Sequence, residues 1–254
     1  MKIGSLVTAA CAISCLTAGI TATAAPTAQE ILAKSRAAMK SMKTYQATVV
    51  TTMSGGPMSI TLSARTKQAG NKTWAQLGMV QGSAQAQQNP LASMLQNMII
   101  IDDGINTWTY MPAMKQYRKG PAGGAKQFNL GEQFLGKVDT NANLTFGGAE
   151  NVGGKPTWVV EAKPKKLQPG QTEIVRMNFD QSTYHLLQAK VNQSRPASAQ
   201  SPARQQSVMV IVKDEKINQP IPESTFKFTP PAGAKEAQGG MGMGMPGGAG
   251  QRRN

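Results

Sequence analysis

Apolar residues first recur at every third or fourth position in the segment that follows Pro26. The positions at this spacing are Ile31, Leu32, Ser35, Ala38, Met39 and Met42, all apolar except Ser35. This spacing is typical of one face of a helix. Thr27 and Glu30 stand three positions apart ahead of the run, as in a capping box. The pattern predicts an amphipathic helix over residues 28–42, which needs an apolar surface to cover.

From residue 45 onward the period of the apolar positions changes to two, which is typical of half-buried strands. Gly, Pro, Asn or Asp residues separate the segments. The pattern predicts about nine to eleven antiparallel strands. The candidate strands are residues 45–53, 58–64, 73–79, 98–102, 105–110, 156–162, 172–179, 185–192 and 207–213, with a last short strand at Phe226 and Phe228.

The clearest hairpin surrounds Asp103-Gly104, a dipeptide that suits a two-residue type I′ turn. Such a turn pairs Asp102 with Ile105 and Ile99 with Trp108. One face of the predicted hairpin carries Ile99, Ile101, Trp108 and Tyr110. Its other face carries Ile100, Thr107 and Thr109. Two glycine pairs, Gly147-Gly148 and Gly153-Gly154, predict further turns.

Polar or glycine-rich stretches separate these elements. Residues 81–90 predict a mobile loop, 120–124 a flexible break, 195–206 a polar loop and 239–254 a disordered Gly/Met-rich tail. Two short helices are expected between strands. The first would follow Asn89-Pro90 and carry Leu91, Met94, Leu95 and Met98. The second would carry Leu130, Phe134 and Leu135.

These elements predict a mainly β, α+β fold with one large antiparallel sheet. A sheet of so many strands has to curl strongly or close. With the N-terminal helix and the short helices on one of its faces, a curved sheet encloses an apolar cavity.

The first 24 residues carry the features of a secretory signal peptide. Lys2 precedes an uncharged run, Ile3–Ala22, and Ala22-Thr23-Ala24 is a small-x-small cleavage site. Cleavage near Ala24 predicts a periplasmic protein whose domain spans residues 25–238. Two alternatives are a retained membrane anchor and a lipid-modified Cys15.

Side chains that carry catalysis or bind metals are sparse. The only cysteines, Cys11 and Cys15, lie in the segment that cleavage removes, and His185 is the single histidine. No phosphate-binding, dinucleotide-binding or metal-ligand spacing occurs. We therefore expect a protein that is not an enzyme and has no cofactor or metal. Two alternatives are catalysis through His185 and Cu(I) binding by the tail residues Met241, Met243 and Met245.

The net charge is +14, with a sequence pI near 10.0. Most basic residues are dispersed along the chain, which is typical of a solvated surface. Only Lys163-Lys165-Lys166 and Arg252-Arg253 approach clusters. In an exported protein the expected anionic partner is a membrane surface, not nucleic acid.

Two segments resemble the LolA-like carriers of outer-membrane lipoproteins. Residues 101–112 match their apolar strand, Asp-Gly turn, aromatic strand and proline. Residues 225–233 match their C-terminal Phe-x-Phe-x-Pro-Pro-x-Gly pattern. Gln68 stands where the carriers have an arginine, so the chain resembles a divergent member.

The resemblance implies an unclosed half-barrel with helices as a lid over a cavity for acyl chains. By this resemblance the cavity lining is Trp74, Leu77, Met79, Ile99, Ile101, Trp108, Tyr110 and Met114. The lid residues are Leu91, Met94, Leu95, Phe134 and Leu135.

The implied function is a periplasmic carrier in outer-membrane lipoprotein sorting. It would be a monomer that binds acyl chains of lipoproteins or other lipids, with membrane-bound donor and acceptor proteins. An alternative is a sensor or adaptor of the same fold that binds a protein partner in envelope stress signalling.

Overall fold

The computed structural model describes residues 25–55, 59–79, 95–125, 134–135, 138–197 and 202–237. Several sequence predictions lie outside these residues. They are the signal peptide at 1–24, the loop at 81–90, the lid residues Leu91 and Met94, Leu130 of the second short helix, and the tail at 239–254.

Helix α1 spans Ala28–Ser41 and begins with the predicted capping box. The Glu30 amide donates to Thr27 Oγ1 at 3.2 Å, and the Thr27 amide donates to Glu30 Oε2 at 2.8 Å. The hydrogen bond from the Thr27 backbone is the largest cause that lowers the pKa of Glu30. Ile31 and Leu32 are buried, which confirms the predicted apolar face.

Twelve strands of the described residues form one sheet. They are β1 Thr44–Ser54, β2 Ile60–Ala69, β3 Lys72–Met79, β4 Ile99–Asp102, β5 Asn106–Met111, β6 Gln116–Pro121, β7 Ala142–Val152, β8 Lys155–Pro164, β9 Thr172–Asp180, β10 Leu186–Arg195, β11 Arg204–Ile217 and β12 Lys235–Glu236.

The sheet has the order β12-β6-β5-β4-β3-β2-β1-β11-β10-β9-β8-β7. This order contains two runs of strands that are consecutive in the chain, β1 to β6 and β7 to β11. The pairing of β1 with β11 joins the two runs. All pairs are antiparallel except β6 with β12. Because β7 and β12 are at the two ends, the curved sheet is not closed. The predicted fold class, an unclosed half-barrel, is confirmed.

Strands β6 and β7 were not predicted. Gly147-Gly148 lies inside β7 and forms a bulge, seen as a register shift between Phe146 and Ala149. A Cβ at Gly147 would lie 2.8 Å from Val159 Cγ1, so the close approach of the two strands requires glycine. The prediction of a turn at this pair was wrong, whereas Gly153-Gly154 does form the β7–β8 turn.

The β4–β5 hairpin has a longer turn than the sequence predicts. Asp102 pairs with Thr107, because the Asp103 carboxylate accepts hydrogen bonds from the amides of Ile105 and Asn106 at 2.8 and 2.7 Å. The predicted register was therefore wrong by two residues. A shift of two keeps each side chain on its face, so the predicted faces of the hairpin are correct.

The predicted strand at Phe226 and Phe228 is also wrong. Glu223–Phe226 forms a 3₁₀ turn, and Phe226 is buried. The segment lies between Pro222 and Pro230, which have no amide to donate to a sheet. The predicted polar loop at 195–206 is shorter than expected, since β10 continues to Arg195 and β11 begins at Arg204.

We call the face of the sheet that α1 covers the inner face. Two separate clusters of buried residues lie on it. The first, under α1 and on β7–β10, is Ala28, Ile31, Leu32, Leu135, Ala142, Val160, Ala162, Met177, Phe179, Leu186 and Ala189. The second, at β3–β5, is Leu77, Met98, Ile100, Met111 and Ala125.

Short helical segments are few in the described part of the chain. Helix α2 spans Val138–Asn141, Pro112–Met114 forms a 3₁₀ turn, and Phe134 and Leu135 are helical. Phe134 packs against the first cluster and Leu95 against the second. In the described residues, no helix has the length and apolar character needed to cross a bilayer.

Removing the N-cap of α1 should destabilise the protein. We expect Thr27→Ala to lower the free energy of unfolding by about 1 kcal/mol, since it removes the hydroxyl that caps a helix covering the core. Urea unfolding measures this, with the exposed Thr229→Ala as control. Equal stability of the two variants would contradict the role of the cap.

Candidate functional site

The middle of the inner face, on β1, β2 and β11, is apolar and belongs to neither buried cluster. The strand registers place a continuous set of inward-facing positions there. We call this set the inner trough. Its residues are Ala47, Val49, Thr51, Met53, Leu62, Ala64, Thr66, Val208, Val210 and Val212.

The floor of the inner trough is made of small residues. Ala47, Thr66 and Ala75 pair across β1, β2 and β3, and each is buried. The hydroxyl of Thr66 is buried without a hydrogen-bond partner among the described residues. Small side chains at the centre of a curved sheet leave more room above the backbone than leucine or phenylalanine would.

A polar pocket of about 160 Å³ lies at one end of the inner trough, near the C-terminal end of α1. Its lining combines apolar and polar residues from α1, β1, β2, β10 and β11. They are Met39, Met42, Lys43, Thr44, Tyr45, Gln68, Gly70, His185, Leu186 and Glu215. Gln68, which stands where the carriers have an arginine, therefore lies in this wall.

The carboxylate of Glu215 connects two polar groups of the pocket. His185 Nδ1 lies 3.1 Å from Glu215 Oε2, and both side chains are largely buried. The Tyr45 hydroxyl also forms a hydrogen bond with Glu215. Burial is the main cause that raises the pKa of Tyr45 above 10, and the negative charge and hydrogen bond of Glu215 add to it.

This pocket does not have the geometry of an activated nucleophile. A hydroxyl nucleophile needs a base that accepts its proton. Neither hydroxyl of the lining residues is activated: Thr44 donates to the carbonyl of Gln219 at 2.7 Å, which is not a base, and the raised pKa of Tyr45 keeps its hydroxyl protonated although it donates to Glu215. Among the described residues, no group of three or more His, Cys, Asp or Glu could hold a metal ion.

The other end of the inner face is polar and basic. A cavity of about 200 Å³ lies there between the β8–β9 loop and the ends of β9, β10 and β11. Arg195 and Arg204 line it from directly opposite positions of β10 and β11. The inner face therefore has polar groups at both ends and apolar residues between them.

The residues predicted to line the cavity are divided between the two faces of the sheet. Leu77 is buried on the inner face, Met79 occupies an inner position of β3, and Met114 packs against the second cluster. The register places the others on the outer face, and one cavity cannot be lined by both sets. The outer residues are Trp74, Ile99, Ile101, Trp108 and Tyr110.

The C-terminal segment covers part of this outer face. Phe228 stacks on Trp108, with ring centroids 5.2 Å apart and an interplanar angle of 22°. Tyr110 and Tyr117 contact the ring of Phe228. Lys119 lies over the Trp108 ring at 5.0 Å, a cation–π arrangement. The two segments that resemble the LolA-like carriers, 101–112 and 225–233, thus meet in one aromatic cluster.

Sequence reasoning missed the residues of the inner trough and, apart from His185 and Gln68, did not assign the polar pocket. The alternation of Ala47, Val49, Thr51 and Met53 along β1 predicts a strand face but does not show that the middle strands lie outside the buried clusters. His185 and Glu215 are thirty positions apart, and no short motif connects them. His185 precedes β10 and Glu215 lies near the end of β11, and the antiparallel pairing of these two consecutive strands brings them together.

Comparison with known proteins gives structural matches only. No family model matches the sequence. No curated protein matches it either. A conserved protein of Thermus thermophilus is 12% identical with a TM-score of 0.48, over 83% of this chain and 98% of its own.

Lipoprotein LppX of Mycobacterium tuberculosis is 18% identical with a TM-score of 0.46, over 76% of this chain and 97% of its own. A LolA superfamily protein of Nitrosomonas europaea is 14% identical with a TM-score of 0.35, over 80% of this chain and 99% of its own. A LolA superfamily protein is therefore among the structures to which this chain is similar.

The hydroxyl of Tyr45 should make stability depend on alkaline pH. Because its pKa is raised in the folded state, its contribution is complete below about pH 10 and is lost as the pH rises through the folded value. We expect Tyr45→Phe to cost about 1 kcal/mol at pH 8. Above pH 10 its stability should fall less steeply than that of the wild type.

Urea unfolding at pH 8 and pH 11 measures both effects. Tyr110→Phe, on the outer face, is the control. If the wild type and Tyr45→Phe lose the same free energy of unfolding between pH 8 and pH 11, the surroundings of Tyr45 do not hold its hydroxyl in the protonated form.

Proposed function

We propose that this protein is a non-enzymatic carrier that holds an acyl chain in the inner trough. The observation that supports this most strongly is the apolar, small-residue surface on β1, β2 and β11, which lies between two buried clusters and is part of neither. Thr51, Met53, Leu62 and Val208 of this surface are only half-buried, so apolar area is left for an apolar partner, and ligand sites are commonly concave and apolar.

The dimensions of the trough suit one acyl chain. From Ala47 to Met53 the strand rises about 20 Å, at about 3.3 Å per residue. An acyl chain spans one leaflet, roughly half of the ~30 Å hydrocarbon core of a bilayer. Each buried CH₂ contributes about 0.8 kcal/mol, so one chain is held tightly but reversibly.

The location that fits this function is the periplasm, after removal of residues 1–24. The support is the order of Lys2, the uncharged run Ile3–Ala22 and the small residues up to Ala24. Within the envelope, the acyl chain of a lipoprotein or another lipid would be the cargo. Membrane-bound donor and acceptor proteins would load and unload it, in outer-membrane lipoprotein sorting.

A charge in the inner trough should abolish acyl binding. Met53 faces inward on β1, and Met209 faces outward on the paired strand β11; both are half-buried. We expect Met53→Glu to weaken binding of a fluorescent fatty acid about tenfold or more, because an unpaired carboxylate would be placed against the chain. Fluorescence titration measures the dissociation constant.

Met209→Glu is the matched control and should bind the fatty acid as the wild type does. Circular dichroism establishes that both variants are folded. If Met53→Glu binds normally, or if both variants lose binding to the same extent, the inner trough is not the site.

The proposed export predicts a defined N-terminus. The protein isolated from the envelope of its own cells should begin at Ala25, because cleavage follows Ala24. Mass spectrometry of the intact protein measures this. A mass that retains residues 1–24, or one that carries lipid on Cys15, would contradict the proposed processing.

A further inference from the structure

Two arginines face each other at the basic end of the inner face. Arg195 and Arg204 are directly opposite in the β10–β11 register, and both are exposed. Like charges directly opposite on paired strands destabilise a sheet. The ion pairs between described residues involve Lys72, Arg176 and His185, and none involves either arginine. The folded protein therefore concentrates positive charge here at a cost to its own stability.

The cavity that the arginines line is rich in hydrogen-bonding groups. Its other residues are Leu167, Gln171, Thr172, Glu173, Ser194, Gln193 and Gln206. Glu173 is the only carboxylate of this lining, and its Oε2 accepts a hydrogen bond from Gln193 Nε2 at 2.8 Å. With two guanidinium groups and one carboxylate, the lining of this cavity carries a net positive charge.

The β8–β9 loop is fixed against this end of the sheet. The Lys165 amide donates to the Asn141 carbonyl at 2.8 Å. Gly170, with φ of +76°, lies so close to Pro196 that a Cβ would approach its ring to 2.9 Å. The loop thereby places Leu167, which is 40% exposed, at the rim of the cavity. The exposed Lys165 and Lys166 belong to the same loop and add to the positive charge.

The arginines continue the rows of the inner trough. Val191 pairs with Val208, which pairs with Met53. Four residues further along the same face of β10 is Arg195, an inner position by the period of two. A ligand that lies along the trough with its apolar part would therefore reach Arg195 and Arg204 with its polar end.

We propose that Arg195 and Arg204 bind the phosphate group of a lipid whose acyl chain lies in the inner trough. This inference rests on the proposed carrier function and names its ligand class. Planar guanidinium groups form paired, charge-assisted hydrogen bonds with phosphate oxygens, which a hydroxyl headgroup cannot reproduce. Bound phosphate would also relieve the repulsion between the two arginines.

The test compares two single-chain lipids that differ only in the phosphate. Lysophosphatidic acid and monoacylglycerol of the same chain length are titrated by calorimetry into the mature chain, below their micelle concentrations. We expect the wild type to bind the phosphate lipid about tenfold more tightly. In Arg195→Gln/Arg204→Gln this preference should disappear, while monoacylglycerol binding remains. Thermal unfolding of the ligand-free double variant should occur no earlier than that of the wild type.

Arg65→Gln is the matched control. Arg65 lies on the outer face, where its guanidinium donates to Gln76 Oε1 at 2.6 Å, and its loss should leave the preference intact. A preference that persists in the double variant, or that is lost equally in Arg65→Gln, would overturn the proposal.

Titration with inorganic phosphate distinguishes a site for a phosphate lipid from a site for free phosphate, since both ligands would bind the same two guanidinium groups. If phosphate alone binds as tightly as the lipid does, and does so through the two arginines, the site is one for free phosphate and the lipid proposal fails. If the wild type binds neither lipid, the carrier function itself fails. A wild type that binds monoacylglycerol without any preference for the phosphate lipid overturns only the arginine site.

Discussion

The pairing of β1 with β11 is the interaction on which the rest of the structure depends. It joins strands more than 150 residues apart and connects the run β2–β6 to the run β7–β10. Without it there would be two smaller sheets, each with its own buried cluster, and no shared inner face. Pairing across so long a stretch of chain carries a loop-closure cost, which the contacts along the two strands have to offset.

The same pairing creates the inner trough. Because β1 and β11 lie at the centre of the sheet, the two buried clusters form on either side of them, and α1 covers only one side. Apolar positions such as Val49 and Val210 then face inward between the clusters. Polar groups gather where the strands end, with Tyr45, His185 and Glu215 at one end and Arg195 and Arg204 at the other. An amphipathic ligand matches this order of polar and apolar surface.

Local sequence patterns are sufficient to predict much of the fold. The spacing of Ile31 and Leu32 and the capping box define α1, and alternation locates most strands. Features that depend on close contacts between strands are not visible in these patterns. The pair Gly147-Gly148 is typical of a turn, but the close approach of Gly147 to Val159 makes it part of a bulge. Asp103 lengthens its turn by accepting two backbone amides, which a type I′ dipeptide rule does not include.

The candidate site is harder to predict for a related reason. Trp108 and Tyr110 are residue types that commonly line apolar cavities. The register nevertheless places both on the outer face, beneath Phe228. The trough itself is built from common strand residues whose importance comes only from their position in the completed sheet. The histidine of the polar pocket is conspicuous in the sequence, but only the register of β10 and β11 shows that Glu215 is its partner.

The most direct test of the carrier function is native mass spectrometry of the protein purified from its own envelope, followed by organic extraction of the bound material. We expect a fraction of the protein to carry additional mass that is released on denaturation and is recovered in the organic phase as an acylated molecule. Protein that shows only the mass of its own chain, with nothing recovered by extraction, would contradict the account.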